Sequence, residues 1–192
     1  NRALQSARRL LGAAKAGHTG TLDPMATGLL PLTFGEATKF AADLLDADKS
    51  YRATVRLGMT TTTGDAEGET VATAPVEVTA AEVDAVLSRF TGNIAQVPPM
   101  HSALKRDGTP LYRLARAGIE VERAPRPVSI HRLERVGHVG NDLMLEVDCS
   151  KGTYVRVLAE EIAAGLGTRA HLGALRRLWV EPFERTAMVS LD

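Results

Sequence analysis

A single cysteine, Cys149, stands among 192 residues, which removes internal disulfides, Cys-rich zinc sites and two-cysteine redox couples from consideration. A chain without cross-links of this kind is expected in a reducing cytoplasm. No stretch approaches the roughly 18 consecutive apolar residues of a membrane span. The first segment, Asn1 to Ala16, is an arginine-bearing amphipathic stretch with no apolar signal core, so neither membrane insertion nor export is expected. Net charge is also missing, because 23 Lys and Arg offset 23 Asp and Glu. With 44% hydrophobic and 24% charged residues, the chain is neither disordered nor a basic polyelectrolyte. Repeats and low-complexity tracts are absent. What is present is length for about one domain, enough to bury roughly 70% of the unfolded surface without staples.

The zero balance hides segregation. Asp65 to Leu87 holds six acids and no Lys or Arg, whereas Leu104 to Arg135 holds eight bases against four acids, and Arg169, Arg176 and Arg177 form a second basic cluster. Such stretches are commonly solvated faces. An arginine-rich, lysine-poor surface also suits phosphate, whose oxygens the guanidinium fork bonds bidentately.

Leu4, Ala7, Leu10, Leu11 and Ala14 recur at helical spacing, with Gly17 as the stop signal. A second helix is predicted from about Glu36 to Asp46. Tyr51, Ala53, Val55 and Leu57 alternate with polar residues, which predicts a half-buried strand with the tyrosine on its apolar face. Thr79 and Glu82 form a capping box ahead of a helix ended by Thr91-Gly92. A shorter helix follows Thr109-Pro110, with Thr as N-cap, Pro at the first helical position and Gly118 as terminator. Between these two helices, the prolines of Val97 to Arg106 predict a shaped loop. Val128–Val136 and Asp142–Cys149 flank a turn region at Gly137–Asn141 and read as a hairpin. Tyr154–Ala164 reads as a helix capped by Gly165, and Leu172–Val180 as a strand. Helices, strands and hairpins intermixed predict an α+β fold around a mixed, mostly antiparallel sheet flanked by helices.

One segment stands apart: Gly17-His18-Thr19-Gly20-Thr21-Leu22-Asp23-Pro24-Met25-Ala26-Thr27-Gly28-Leu29-Leu30-Pro31. Its three glycines and two prolines shape a loop whose backbone can approach a ligand closely. It is not a P-loop, a dinucleotide fingerprint, a nucleophile elbow or a zinc-protease helix. What remains is one carboxylate, Asp23, in an otherwise uncharged loop. Asp23 before Pro24 fits a helix N-cap, and it equally fits a nucleophile or base held by a rigid turn; nothing within the loop decides between them. His18 has no second histidine or carboxylate at ligand spacing, so no metal site is expected.

Gly17 to Pro24 with Ala26-Thr27-Gly28 resembles the catalytic signature of the TruB family, the bacterial tRNA pseudouridine-55 synthases. The resemblance continues in Gly35-Glu36-Ala37-Thr38-Lys39, Lys49-Ser50-Tyr51-Arg52, Thr63 to Gly68, Pro98 to Lys105, Cys149 to Arg156 and Leu175-Arg176-Arg177-Leu178, so it runs through essentially the whole chain. It implies a pseudouridine synthase fold over residues 1–192, with an RNA-gripping insertion at about 98–127. It also implies that the family's opening strand is missing here and that its C-terminal RNA-binding module is absent.

The implied activity is isomerisation of uridine in the T-loop of tRNA. In the matching positions, Asp23 is the catalytic carboxylate, Arg156 its ionic partner and Tyr51 the ring that stacks on the flipped uracil. Tyr154 and Leu175 line the pocket, His18 stacks within the remodelled T-loop, Lys39 contacts RNA and Asp65 orders its loop. No cofactor is implied, because no electrons change hands overall. The implied partner is the T-arm of tRNA, read by a monomer without a membrane or an obligate protein partner. Two rivals stay open: a guide-RNA-dependent synthase of the dyskerin type, and a non-catalytic tRNA-binding module.

Overall fold

A computed structural model of the chain describes residues 2–184 and 188–190; Asn1, the first residue of the amphipathic opening segment, lies outside them. The helices are α1 (Arg2–Leu10), α2 (Ala80–Arg89), α3 (Leu111–Arg116) and α4 (Val155–Gly165). The strands are β1 (Ala16–His18), β2 (Thr27–Gly28), β3 (Leu32–Phe34), β4 (Lys49–Leu57), β5 (Met59–Thr61), β6 (Thr70–Thr73), β7 (Gly92–Gln96), β8 (Lys105–Arg106), β9 (Thr109–Pro110), β10 (Arg126–Val139), β11 (Asp142–Cys149) and β12 (Ala170–Val180). Six of them form the main sheet in the order β2-β12-β4-β11-β10-β7. Only the β2–β12 pair in it is parallel. The α+β reading with a mostly antiparallel sheet therefore holds.

Period-2 patterning decides which side of this sheet is dry. Ala53, Val55 and Leu57 of β4 and Leu143, Leu145 and Val147 of β11 are all at most 1% exposed. All of these but Ala53 pack with Val83, Val86 and Leu87 of α2 and with Leu158, Ala159 and Ile162 of α4. The alternate residues stay wet and pair ionically across strands: Arg52 Nη2 with Glu146 Oε1 at 2.6 Å, and Arg132 Nε with Asp148 Oδ2 at 2.8 Å. Ile162 is fully buried in the core, so Ile162→Ala removes packing and leaves a cavity. We expect it to cost about 2–5 kcal/mol, read from urea denaturation; a loss below about 1 kcal/mol would contradict this packing.

Several local expectations shift. Helix α1 ends at Gly12 rather than Gly17: Gly12 N–H donates to Arg9 O and Ala13 N–H to Arg8 O, a Schellman closure around a residue with φ +59°. Gly17 instead sits in β1. The helix predicted at Glu36–Asp46 is two 3₁₀ turns, Gly35–Phe40 and Asp43–Leu45. The first has no buried residue and its Phe40 is exposed, so nothing pays for a longer helix with tertiary burial. Pro110, not Thr109, is the N-cap of α3, because Thr109–Pro110 pairs with Lys105–Arg106 across a hairpin. Asp107 and Gly108 both have positive φ there (49° and 79°), the signature of a two-residue primed turn. In the larger hairpin the turn narrows to Gly140-Asn141, and Gly137 lies within β10 beside a register shift. Tyr154 is the N-cap of α4, and its C-terminal closure falls at Gly167 (φ 74°) rather than Gly165.

Candidate active site

The loop between β1 and β3 turns sharply at Asp23. Ala26 N–H donates to Asp23 O at 2.9 Å, closing a four-residue turn with Pro24 in the second position. Asp23 is therefore not a helix N-cap: the chain stays extended after the turn, and Thr27–Gly28 pairs directly with Arg176–Arg177 of β12.

Arg156 stands in the first turn of α4 and is 7% exposed. A cation there opposes the helix dipole, so its burial requires anionic compensation. Asp23 supplies it through a two-point contact: Arg156 Nε donates to Oδ2 at 3.0 Å and Nη2 to Oδ1 at 3.3 Å. Two of the three remaining guanidinium hydrogens go to Thr63 O at 2.9 Å and His101 O at 2.8 Å. Asp65, 4% exposed, lies 3.7 Å from Nη1. The register shift in β12 between Leu172 and Ala174 lets the Asp65 loop dock: Leu172 N–H donates to Gly64 O and Ala66 N–H to Leu172 O. Thr63 Oγ1 (2.5 Å) and Glu67 N–H (3.1 Å) both donate to Asp65 Oδ1. Asp65 thus orders its loop, as expected, and also faces the arginine.

Asp23, Arg156, Tyr51, Tyr154 and Leu175 share the wall of one cavity of about 130 Å³. This is well below the roughly 300–1,000 Å³ of drug-sized pockets, a size suited to one small planar ring. Ala53, Val155, Leu172 and Leu175 make a small apolar cluster against which Tyr51 packs. Burial raises the pKa of both Tyr51 and Tyr154, so each remains a neutral phenol at neutral pH. The buried side chain of Gln96 fixes Tyr154 by accepting from its N–H at 3.0 Å and donating to its carbonyl at 3.4 Å. Cys149, buried in the core at the end of β11, has its thiol pushed up to about 12 by desolvation and does not line the cavity.

Two expected RNA contacts lie outside this cavity. His18 is on β1 opposite Leu32, with Nδ1 buried and unpartnered. Lys39 is exposed on the first 3₁₀ turn, paired with Glu36. Among the described residues there is no cluster of three or more His, Cys, Asp or Glu fit for a metal.

A family model described as "TruB family pseudouridylate synthase (N terminal domain)" matches residues 8–155. The chain belongs to the TruB family. It is 65% identical over 191 residues to the tRNA pseudouridine synthase B of Aromatoleum aromaticum, covering 100% of this chain and 62% of that protein. It is 63% identical over 180 residues to that of Dechloromonas aromatica, covering 94% of this chain and 60% of that protein. The chain thus spans about three fifths of these curated TruB relatives. Among solved structures, a Cbf5-Nop10-Gar1 complex shares its fold at TM-score 0.74 and 30% identity, over 95% of this chain and 45% of that one. An archaeal box H/ACA Nop10-Cbf5 complex does so at TM-score 0.72 and 27% identity, over 99% and 47%. Arg156 and Leu175 follow the last residue matched by the TruB family model, yet they share the cavity wall with its Asp23.

Proposed function

We propose that this chain isomerises uridine-55 in the T-loop of tRNA to pseudouridine, in the cytoplasm, as a monomer and without guide RNA, protein partner or cofactor. The observation that carries the reading is the Asp23 carboxylate, gripped from one side by buried Arg156 and presented on the other to a small cavity with two neutral tyrosines.

The reaction breaks the N1–C1′ bond, turns the uracil, and joins C5 to C1′; C5 gives up a proton and N1 gains one. The target base must first leave its stack, at a cost of a few kcal/mol, and Tyr51 offers a ring on which it can rest. A confined, partly apolar pocket then holds the detached uracil. Asp23 is a carboxylate positioned to attack covalently or to accept a sugar proton. Its two-point contact with Arg156 aims it without neutralising it by proton transfer. Exposed Lys105, Arg106, Arg113 and Arg116 on the arm holding β8, β9 and α3, with exposed Arg126 at the start of β10, supply cations for the RNA backbone.

The test is a T-arm hairpin transcript carrying tritium at uridine C5. Guide-free release of tritium from position 55 is expected. Absence of release refutes the reading, and release only after a guide RNA is added moves the protein to the guide-dependent class.

A further inference from the structure

Beneath the catalytic loop lies a buried cation that the chemistry above does not use. Arg177 is 1% exposed, among the largest fully buried side chains of the protein. Register explains why a charge points inward: Arg177 pairs with Tyr51, two residues after Leu175 pairs with Ala53, so it occupies the apolar face of β12. Burying a guanidinium is costly unless its hydrogens are satisfied. Two of the five N–H groups of Arg177 reach backbone carbonyls, Nε donating to Leu29 O at 2.7 Å and Nη2 to Gly20 O at 3.3 Å. These two carbonyls belong to opposite limbs of the loop whose turn carries Asp23. The backbone joins in, since Leu29 N–H donates to Arg177 O at 2.9 Å. Gly28, at φ +98°, presses so closely on the Arg177 backbone that a Cβ has no room.

We infer that Arg177 is a positioning residue: by holding both limbs of the loop from the sheet, it sets where the Asp23 carboxylate stands against Tyr51 and the cavity, without touching substrate. The planar fork matters because two carbonyls are held in two fixed directions; a lysine brings the charge but not the fork. Rigid placement of this kind is worth orders of magnitude in rate and little in ground-state affinity. The inference rests on the synthase activity proposed above.

The experiment compares the unchanged full chain with Arg177→Lys and Gly28→Ala. The second variant displaces the loop from its own side and leaves the buried charge in place. Both are expected to keep the far-UV circular dichroism spectrum and to bind the T-arm hairpin within about threefold, while single-turnover tritium release slows about 100-fold. If Arg177→Lys does not fold, Gly28→Ala decides by the same two readouts. Rates within about threefold of the unchanged protein overturn the inference, as do losses of binding that parallel the losses of rate. Failure of both variants to fold also overturns it, because Arg177 is then purely structural. An unchanged protein that releases no tritium refutes the synthase activity and this inference with it, a result distinct from an active enzyme indifferent to Arg177.

Discussion

Asp23→Asn is expected to lower pseudouridine formation by more than about 10³-fold while T-arm affinity stays within about threefold. The substitution is close to isosteric. Its amide oxygen can still accept from Arg156, so the turn closed by Ala26 N–H and the cavity wall keep their shape. What disappears is the anion: an amide neither attacks carbon nor accepts a proton at neutral pH. Tritium release from C5 reports the chemistry, and a gel-shift titration reports binding. Turnover near that of the unchanged protein would remove Asp23 from the reaction. Joint loss of binding and turnover would favour a loop that merely grips RNA.

Arg156→Met should be the more disruptive change for the protein itself. The guanidinium satisfies two carbonyls and faces two carboxylates, and Asp65 is 4% exposed. Removing the cation strands that carboxylate at the helix end, so we expect a destabilisation of about 3–5 kcal/mol in urea titrations, together with loss of activity. Asp65→Asn in the Arg156→Met background should return about 1–2 kcal/mol of stability without returning activity, because it removes the stranded charge and leaves Asp23 unaimed. Additive losses in that double variant would show that Asp65 and Arg156 do not interact.

What could be read in advance followed the range of the interaction. The Thr79–Glu82 capping box and the alternation of β4 are local, and both stand as expected, with Glu82 N–H donating to Thr79 Oγ1 and the Glu82 carboxylate accepting from Thr79 N–H. The Asp107-Gly108 turn is local too, but the prolines on either side of it dominate the sequence pattern there. The Glu36–Asp46 segment has adequate helix formers, but the lack of a buried face could not be seen from propensity. The strands β5, β6 and β7 are short and carry weak patterns, so pairing rather than sequence defines them. The site divides in the same way. Asp23 was conspicuous as a lone acid in a Gly- and Pro-rich loop. Its partnership with Arg156 spans 133 positions and came only through the family resemblance. Arg177 looked like part of a basic surface cluster; its inward aim is set by the register of β12 on β4, which no local pattern encodes.

The placement of β12 has a consequence for how the molecule comes into being. Although it is the last strand among the described residues, it lies between β2 and β4, and it contributes Leu175 to the cavity while receiving both the Asp23 loop and the Asp65 loop. Until this segment has left the ribosome, the loops that carry Asp23 and Asp65 have no strand to dock on, so the cavity forms only after β12 has paired with β4.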